Sequence, residues 1–148
     1  MNIEKKIAAK GLELPDRQPV VSNIEHAVRT GNLVYTSGNT SPNHVGKVGT
    51  DFTIEEAYQA AVDCTLGCLA STKHVIGDLD KITRVVKVLG LVNCAPGFFN
   101  TSAVIHGCSD LLVELFEEKG RHARSAVGVA ELPANSAVEI EIIFEVAN

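Results

Sequence analysis

The amino-acid sequence predicts an α+β fold in which two helices cover one face of a mixed β-sheet. Three observations carry that expectation. The chain has 148 residues, a usual size for one domain, so residues 1–148 are read as a single unit. Stretches of alternating and of helical hydrophobic periodicity follow one another as strand, strand, helix, strand, helix, strand, strand. Long connections carry the two helices, which places both on the same side of the sheet.

Asn2 to Lys10 reads as a short amphipathic helix with Ile3 and Ile7 on one side, stopped by Gly11. Leu14 to Pro19 is extended and bounded by proline. Val20 to His26 and Leu33 to Ser37 form an expected hairpin across Thr30-Gly31-Asn32, and Gly38 to Asp51 reads as a loop. Thr53-x-x-Glu56 is a capping box opening a helix that ends near Ile76-Gly77. Its small residues Ala57, Ala60, Ala61, Cys64 and Cys68 share one face and let the axis sit close to a sheet.

Ile82 to Cys94 is rich in β-branched residues and predicts a long strand, broken by Ala95-Pro96-Gly97. A second helix is expected from Thr101 to Lys119, with Val104, Cys108, Leu111, Leu112 and Leu115 at helical spacing. Ser125 to Leu132 and Ala137 to Val146 close the chain as strands around a turn at Pro133 to Ser136. The last strand alternates: Val138, Ile140, Ile142, Phe144 and Val146 against Glu139, Glu141, Ile143 and Glu145. One helical layer covers one side of a sheet, so an apolar second side must meet another subunit or stay exposed.

Apolar residues make up 45% of the chain, enough for a core, and disorder is disfavoured. The net charge is −5 with scattered Lys and Arg, which argues against a nucleic-acid backbone as partner. No apolar run approaches the ~20 residues of a membrane span, and Met1 to Lys10 lacks a signal-peptide core. Cys64, Cys68, Cys94 and Cys108 show no zinc-ligand spacing and read as reduced thiols acting as small hydrophobes, which fits a cytoplasmic protein.

An arginine and a pair of glutamates stand out for chemistry. Arg124 lies at the expected mouth of a strand, where its planar fork could hold a carboxylate by two parallel hydrogen bonds or merely be solvated. Glu139 and Glu141 share a face of the last strand. They are either a solvent face or, if one is partly buried, a carboxylate with a raised pKa able to act as a base. His122 stands two residues before Arg124, while His26, His44, His74 and His106 show no shared spacing. No catalytic triad, phosphate loop, dinucleotide fingerprint or metal motif is present.

Thr36-Ser37-Gly38, the run Ala123 to Pro133 and Val138-Glu139-Ile140-Glu141 together resemble the RidA/YjgF family of reactive-intermediate deaminases. The resemblance implies a chorismate-mutase-like fold assembled as a homotrimer around a barrel core, with clefts between subunits. It further implies hydrolysis of 2-imino and enamine acids to 2-oxo acids and ammonia, with no cofactor and no metal. By position, Arg124 matches the arginine gripping the substrate carboxylate and Glu139 the glutamate serving the attacking water. Ser37 and Gly38 match the cleft wall. Ile24 stands where typical deaminases carry a tyrosine, Ser109 near an asparagine, and Ala126 in place of a cysteine. The helix at residues 2–11 and the longer Pro96 to Cys108 stretch mark a divergent subgroup.

The leading expectation is therefore an enamine/imine deaminase. Ile24 and Ala126, which remove polar groups from the cleft, raise a rival from another class: a non-catalytic trimer that binds a small carboxylate as a sensor. Ribonuclease activity, a name given to relatives, has little support in so acidic a chain.

Overall fold

The alternation of the last strand organises the molecule. In a computed structural model describing residues 2–148 (Met1 lies outside them), this strand, β6 (Val138–Val146), sits centrally in a six-stranded mixed sheet. One side of it pairs antiparallel with β2 (Leu33–Thr36) and the two-residue β3 (Asn39–Thr40). The other pairs antiparallel with β4 (Ile82–Asn93). β1 (Ala27–Thr30) and β5 (Ala123–Val129) are the edges, and β5 runs parallel to β4. A parallel pair needs a crossover, which α3 (Thr101–Phe116) supplies.

Val138, Ile140, Ile142, Phe144 and Val146 are buried beneath α2 (Ile54–Ile76), each worth about 2 kcal/mol by burial alone, while α3 covers β4 and β5. The expected two helices on one face are thus present. The α2 capping box is complete, with both reciprocal bonds between Thr53 and Glu56 formed. Small side chains set how closely the layers approach. Ala57, Ala60, Ala61, Cys64 and Cys68 are fully buried, and a Cβ on Gly107 of α3 would overlap the Tyr58 carbonyl oxygen of α2. Cys64 and Cys68 donate their thiols to the β6 carbonyls of Val138 and Ile140, at 3.5 and 3.3 Å. All four cysteines are free, and burial pushes the thiols of Cys68 and Cys108 up to about 12, so they are unavailable as thiolates at neutral pH.

α1 (Ile3–Ala9) is the expected N-terminal helix, anchoring Ile3 and Ile7 in the core. The segment after it is strapped to α2 by Arg17, which donates to Ser71 Oγ, the Gly67 carbonyl and Asn39 Oδ1. No helix among the described residues is long and apolar enough to cross a membrane.

Three expectations about the strands are corrected. The first strand is not Val20 to His26 but Ala27–Thr30; Val21 is fully exposed and Ile24 largely so. The hairpin turn decides this: Gly31, at φ 57°, opens a two-residue turn that pairs Thr30 with Leu33 and fixes the register outward from there. β5 spans Ala123–Val129 rather than Ser125 to Leu132, because its partner β4 ends where Asn93 pairs with Val129. Asn39–Thr40, inside the expected loop, forms a short strand on β6. The second helix also tightens into a 3-10 turn at Glu117–Gly120.

The sheet's other face carries no helix. Cross-strand pairing places Val28, Tyr35, Ile143 and Lys87 in one row, then Glu141, Leu89 and Ser125, then Glu139, Leu91 and Val127. Val28, Tyr35 and Val127 are exposed there, and Leu89, Leu91 and Ile143 half-buried.

Candidate functional site

Arg124 pairs with Val88, a fully buried core residue, so its side chain leaves β5 toward the helix layer. It runs along α3 at the sheet edge and stays half-buried. Its Nη1 donates to Ser109 Oγ at 3.2 Å and to His106 Nδ1 at 3.0 Å. Ser109 also meets His122 Nε2 at 2.9 Å, and His122 Nδ1 reaches the Gly120 carbonyl at 2.6 Å. No carboxylate pairs with this guanidinium, although salt bridges form elsewhere among the described residues. Burial, reinforced by the nearby Arg124 charge, pushes the His122 pKa down against the opposing pull of the Gly120 carbonyl.

Glu139 lies on the opposite face. It pairs with Leu91 on β4 and Thr40 on β3, and its carboxylate packs against Gly38. A Cβ on Gly38 would stand 2.5 Å from Glu139 Oε2, so a glycine is what leaves room for the carboxylate. Ser37 donates to the Glu25 carbonyl, which ties the residue following Ile24 to the same wall. Burial, and secondarily Glu141, raise the Glu139 pKa. A more basic carboxylate is a better proton acceptor for water.

The expected site residues therefore do not gather in one place. Ser37, Gly38 and Glu139 lie at the β2–β6 end and Ser109 and Arg124 meet at the β5–α3 edge, while Ile24 is largely exposed ahead of β1. Within one protomer Arg124 and Glu139 stand on opposite faces of the sheet. Two clefts, of about 590 and 620 Å³, are lined by neither Arg124 nor Glu139, although Gly38 borders the second. A hollow of about 150 Å³ opens on the bare face beside Glu141, between Tyr35, Lys87, Leu89 and Ile143. Among the described residues no three His, Cys, Asp or Glu side chains gather as a metal site would require.

A family model described as "YjgF/chorismate mutase-like, putative endoribonuclease" matches residues 4–146. The chain belongs to the YjgF/RidA family. Protein TCP17 of Trypanosoma cruzi is 39% identical over 144 residues, covering 93% of this chain and 90% of that protein. A 2-iminobutanoate/2-iminopropanoate deaminase of Dermatophagoides farinae is 37% identical over 118 residues, 79% of this chain and 80% of that one. The crystal structure of Atu1372 from Agrobacterium tumefaciens, a protein of unknown function, superposes with a TM-score of 0.91 at 39% identity, covering 98% and 92% of the two chains.

Within this YjgF/RidA chain, Ser109, expected near the asparagine of typical deaminases, meets Arg124 at 3.2 Å. One member of that cluster, His106, escaped sequence reasoning, and His122 stands out in the sequence only for its place two residues before Arg124. His106 and Ser109 are three apart on α3 and so share a helix face, a signal that was available. His122 precedes β5, and only the turn at Gly120 brings its ring back to Ser109.

Proposed function

We propose that the protein is a homotrimeric enamine/imine deaminase whose cleft joins Arg124 of one subunit to Glu139 of the next. The observation that carries this reading is the separation of Arg124 and Glu139 on opposite sheet faces. Each side chain is set up for chemistry, yet one chain alone cannot bring them to a common substrate. The bare sheet face, with Tyr35, Leu89, Leu91 and Ile143, offers the apolar surface for such an assembly. The likeness to the mite deaminase and the overall YjgF/RidA pattern support the same activity.

In this mechanism Arg124 holds the carboxylate of a 2-imino acid and places its C=N carbon beside a water held by Glu139. The water oxygen bonds to that carbon while Glu139 takes its proton. Glu139 returns that proton to the nitrogen, giving the carbinolamine; the hydroxyl proton then passes to the nitrogen by way of Glu139 as the C=O forms, the C–N bond breaks, and ammonia leaves the 2-oxo acid. The imine is already electrophilic, so positioning supplies much of the rate. The raised pKa of Glu139 suits the proton transfer.

Ammonia release from freshly generated 2-iminopropanoate tests the reading: the parent protein turns it over and the Arg124→Lys protein, lacking the fork, does so far more slowly. Equal rates would remove Arg124 from the mechanism. Ala126 and the exposed Ile24 favour a second reading, a carboxylate-binding sensor. Calorimetric binding of 2-oxo acids without turnover of any imine is the result that would select it.

A further inference from the structure

The Arg124 cluster has a fixed hydrogen-bond direction. The Gly120 carbonyl can only accept, so His122 Nδ1 carries a proton and, in the neutral ring, Nε2 is bare. Ser109 therefore donates its hydroxyl proton to His122 Nε2 and keeps its lone pairs for the Nη1–H of Arg124. A guanidinium can only donate, so His106 Nδ1, at 3.0 Å from the same nitrogen, is bare as well. The depressed pKa of His122 agrees with a neutral ring beside a fixed cation. Nη1 is thus spent twice on the protein, whereas Nε and Nη2 have no partner among the described residues.

We propose that His122, acting through Ser109, and His106 are positioning residues that lock Nη1 of Arg124, so a planar carboxylate is taken side-on by the Nε/Nη2 edge. The inference rests on the carboxylate-binding reading of Arg124 and adds to it the edge used and the residues that set it. The Nε/Nη2 edge presents two parallel N–H groups matched to the two oxygens of one carboxylate. With Nη1 held, the Nη1/Nη2 edge is closed to the ligand, and rotation of the side chain is restrained before binding.

The test compares His122→Ala, His122→Gln and His106→Ala with the parent trimer, using pyruvate as the binding probe and 2-iminopropanoate as the substrate. A glutamine carbonyl can accept from Ser109 as the imidazole nitrogen does. His122→Ala is expected to raise the pyruvate Kd and the KM about tenfold, with a smaller effect on kcat. His122→Gln is expected to restore most of that loss, and His106→Ala to behave as His122→Ala does. Nitrogen-15 NMR supplies a readout independent of the ligand. In the parent it should show a bare His122 Nε2, and a slow rotation of the Arg124 guanidinium that quickens in Ser109→Ala. Failure of the parent to bind pyruvate while these signatures hold would overturn the carboxylate reading alone. Fast guanidinium rotation in the parent, or an unchanged Kd in both alanine variants, would overturn the positioning roles.

Discussion

Replacing Gly38 with alanine tests how tightly the Glu139 carboxylate is placed. The new Cβ would lie 2.5 Å from Oε2, 3.0 Å from Cδ and 3.2 Å from Cγ of Glu139. Gly38 is absent from the left-handed backbone positions, so alanine brings no backbone strain and only the side-chain clash remains. Restoring an ordinary carbon–oxygen contact of about 3.3 Å moves the carboxylate by roughly 0.8 Å. Misplacement on that scale costs on the order of 100-fold in a positioned reaction, or about 2.7 kcal/mol in the barrier. The fold loses much less, because a flexible carboxylate can rotate away for about 0.5–1.5 kcal/mol. That corresponds to a fall in Tm of no more than about 5 °C. Ammonia release from 2-iminopropanoate and thermal denaturation, measured on the same preparation, separate the two effects. A Gly38→Ala protein with parent kcat/KM would refute the placement of Glu139 in the reaction.

Arg124→Lys should raise KM at least tenfold, because an ammonium cannot reproduce the paired bonds, and steady-state kinetics will show it. Gly107→Ala should lower stability by about 1–3 kcal/mol in urea unfolding, since the added carbon runs into the Tyr58 carbonyl between α2 and α3. Glu139→Gln should raise Tm at pH 7, with the gain vanishing near pH 4. Burial raises this carboxyl above its ordinary 4.5, so its contribution to stability is whole below that value and is lost as pH rises through the folded-state pKa. If the proposed trimer forms through the bare sheet face, Ile143→Glu should give a folded monomer, which sedimentation and circular dichroism will report together.

The sequence exposed most of the scaffold where local and tertiary signals agree. The Thr53/Glu56 box, the alanine and cysteine stripe and the alternation of β6 each name an element and its buried face. β1 was misplaced because Val20, Val21 and Ile24 look strand-like although Val21 packs against nothing, whereas the glycine turn at Gly31 sets the pairing. The facing of Arg124 was hidden for a related reason. β5 is built from alanine, serine, glycine and valine, and its inward residues Ala126 and Gly128 are small. Such a strand has no hydrophobic alternation to show which side meets the helices, so a shared cleft and opposite faces read alike. The His106–Ser109–His122 cluster depends on that same facing and on the turn at Gly120.

A cleft completed between subunits is the central proposal, and mixing two inactive proteins tests it most directly. The Arg124→Ala and Glu139→Gln proteins would be dissociated together, reassembled at equal ratio and assayed for ammonia release. If each cleft draws Arg124 from one subunit and Glu139 from its neighbour, random assembly restores about one quarter of the clefts and a matching share of the parent rate. Verified mixed trimers that remain as inactive as either variant alone would contradict the shared cleft.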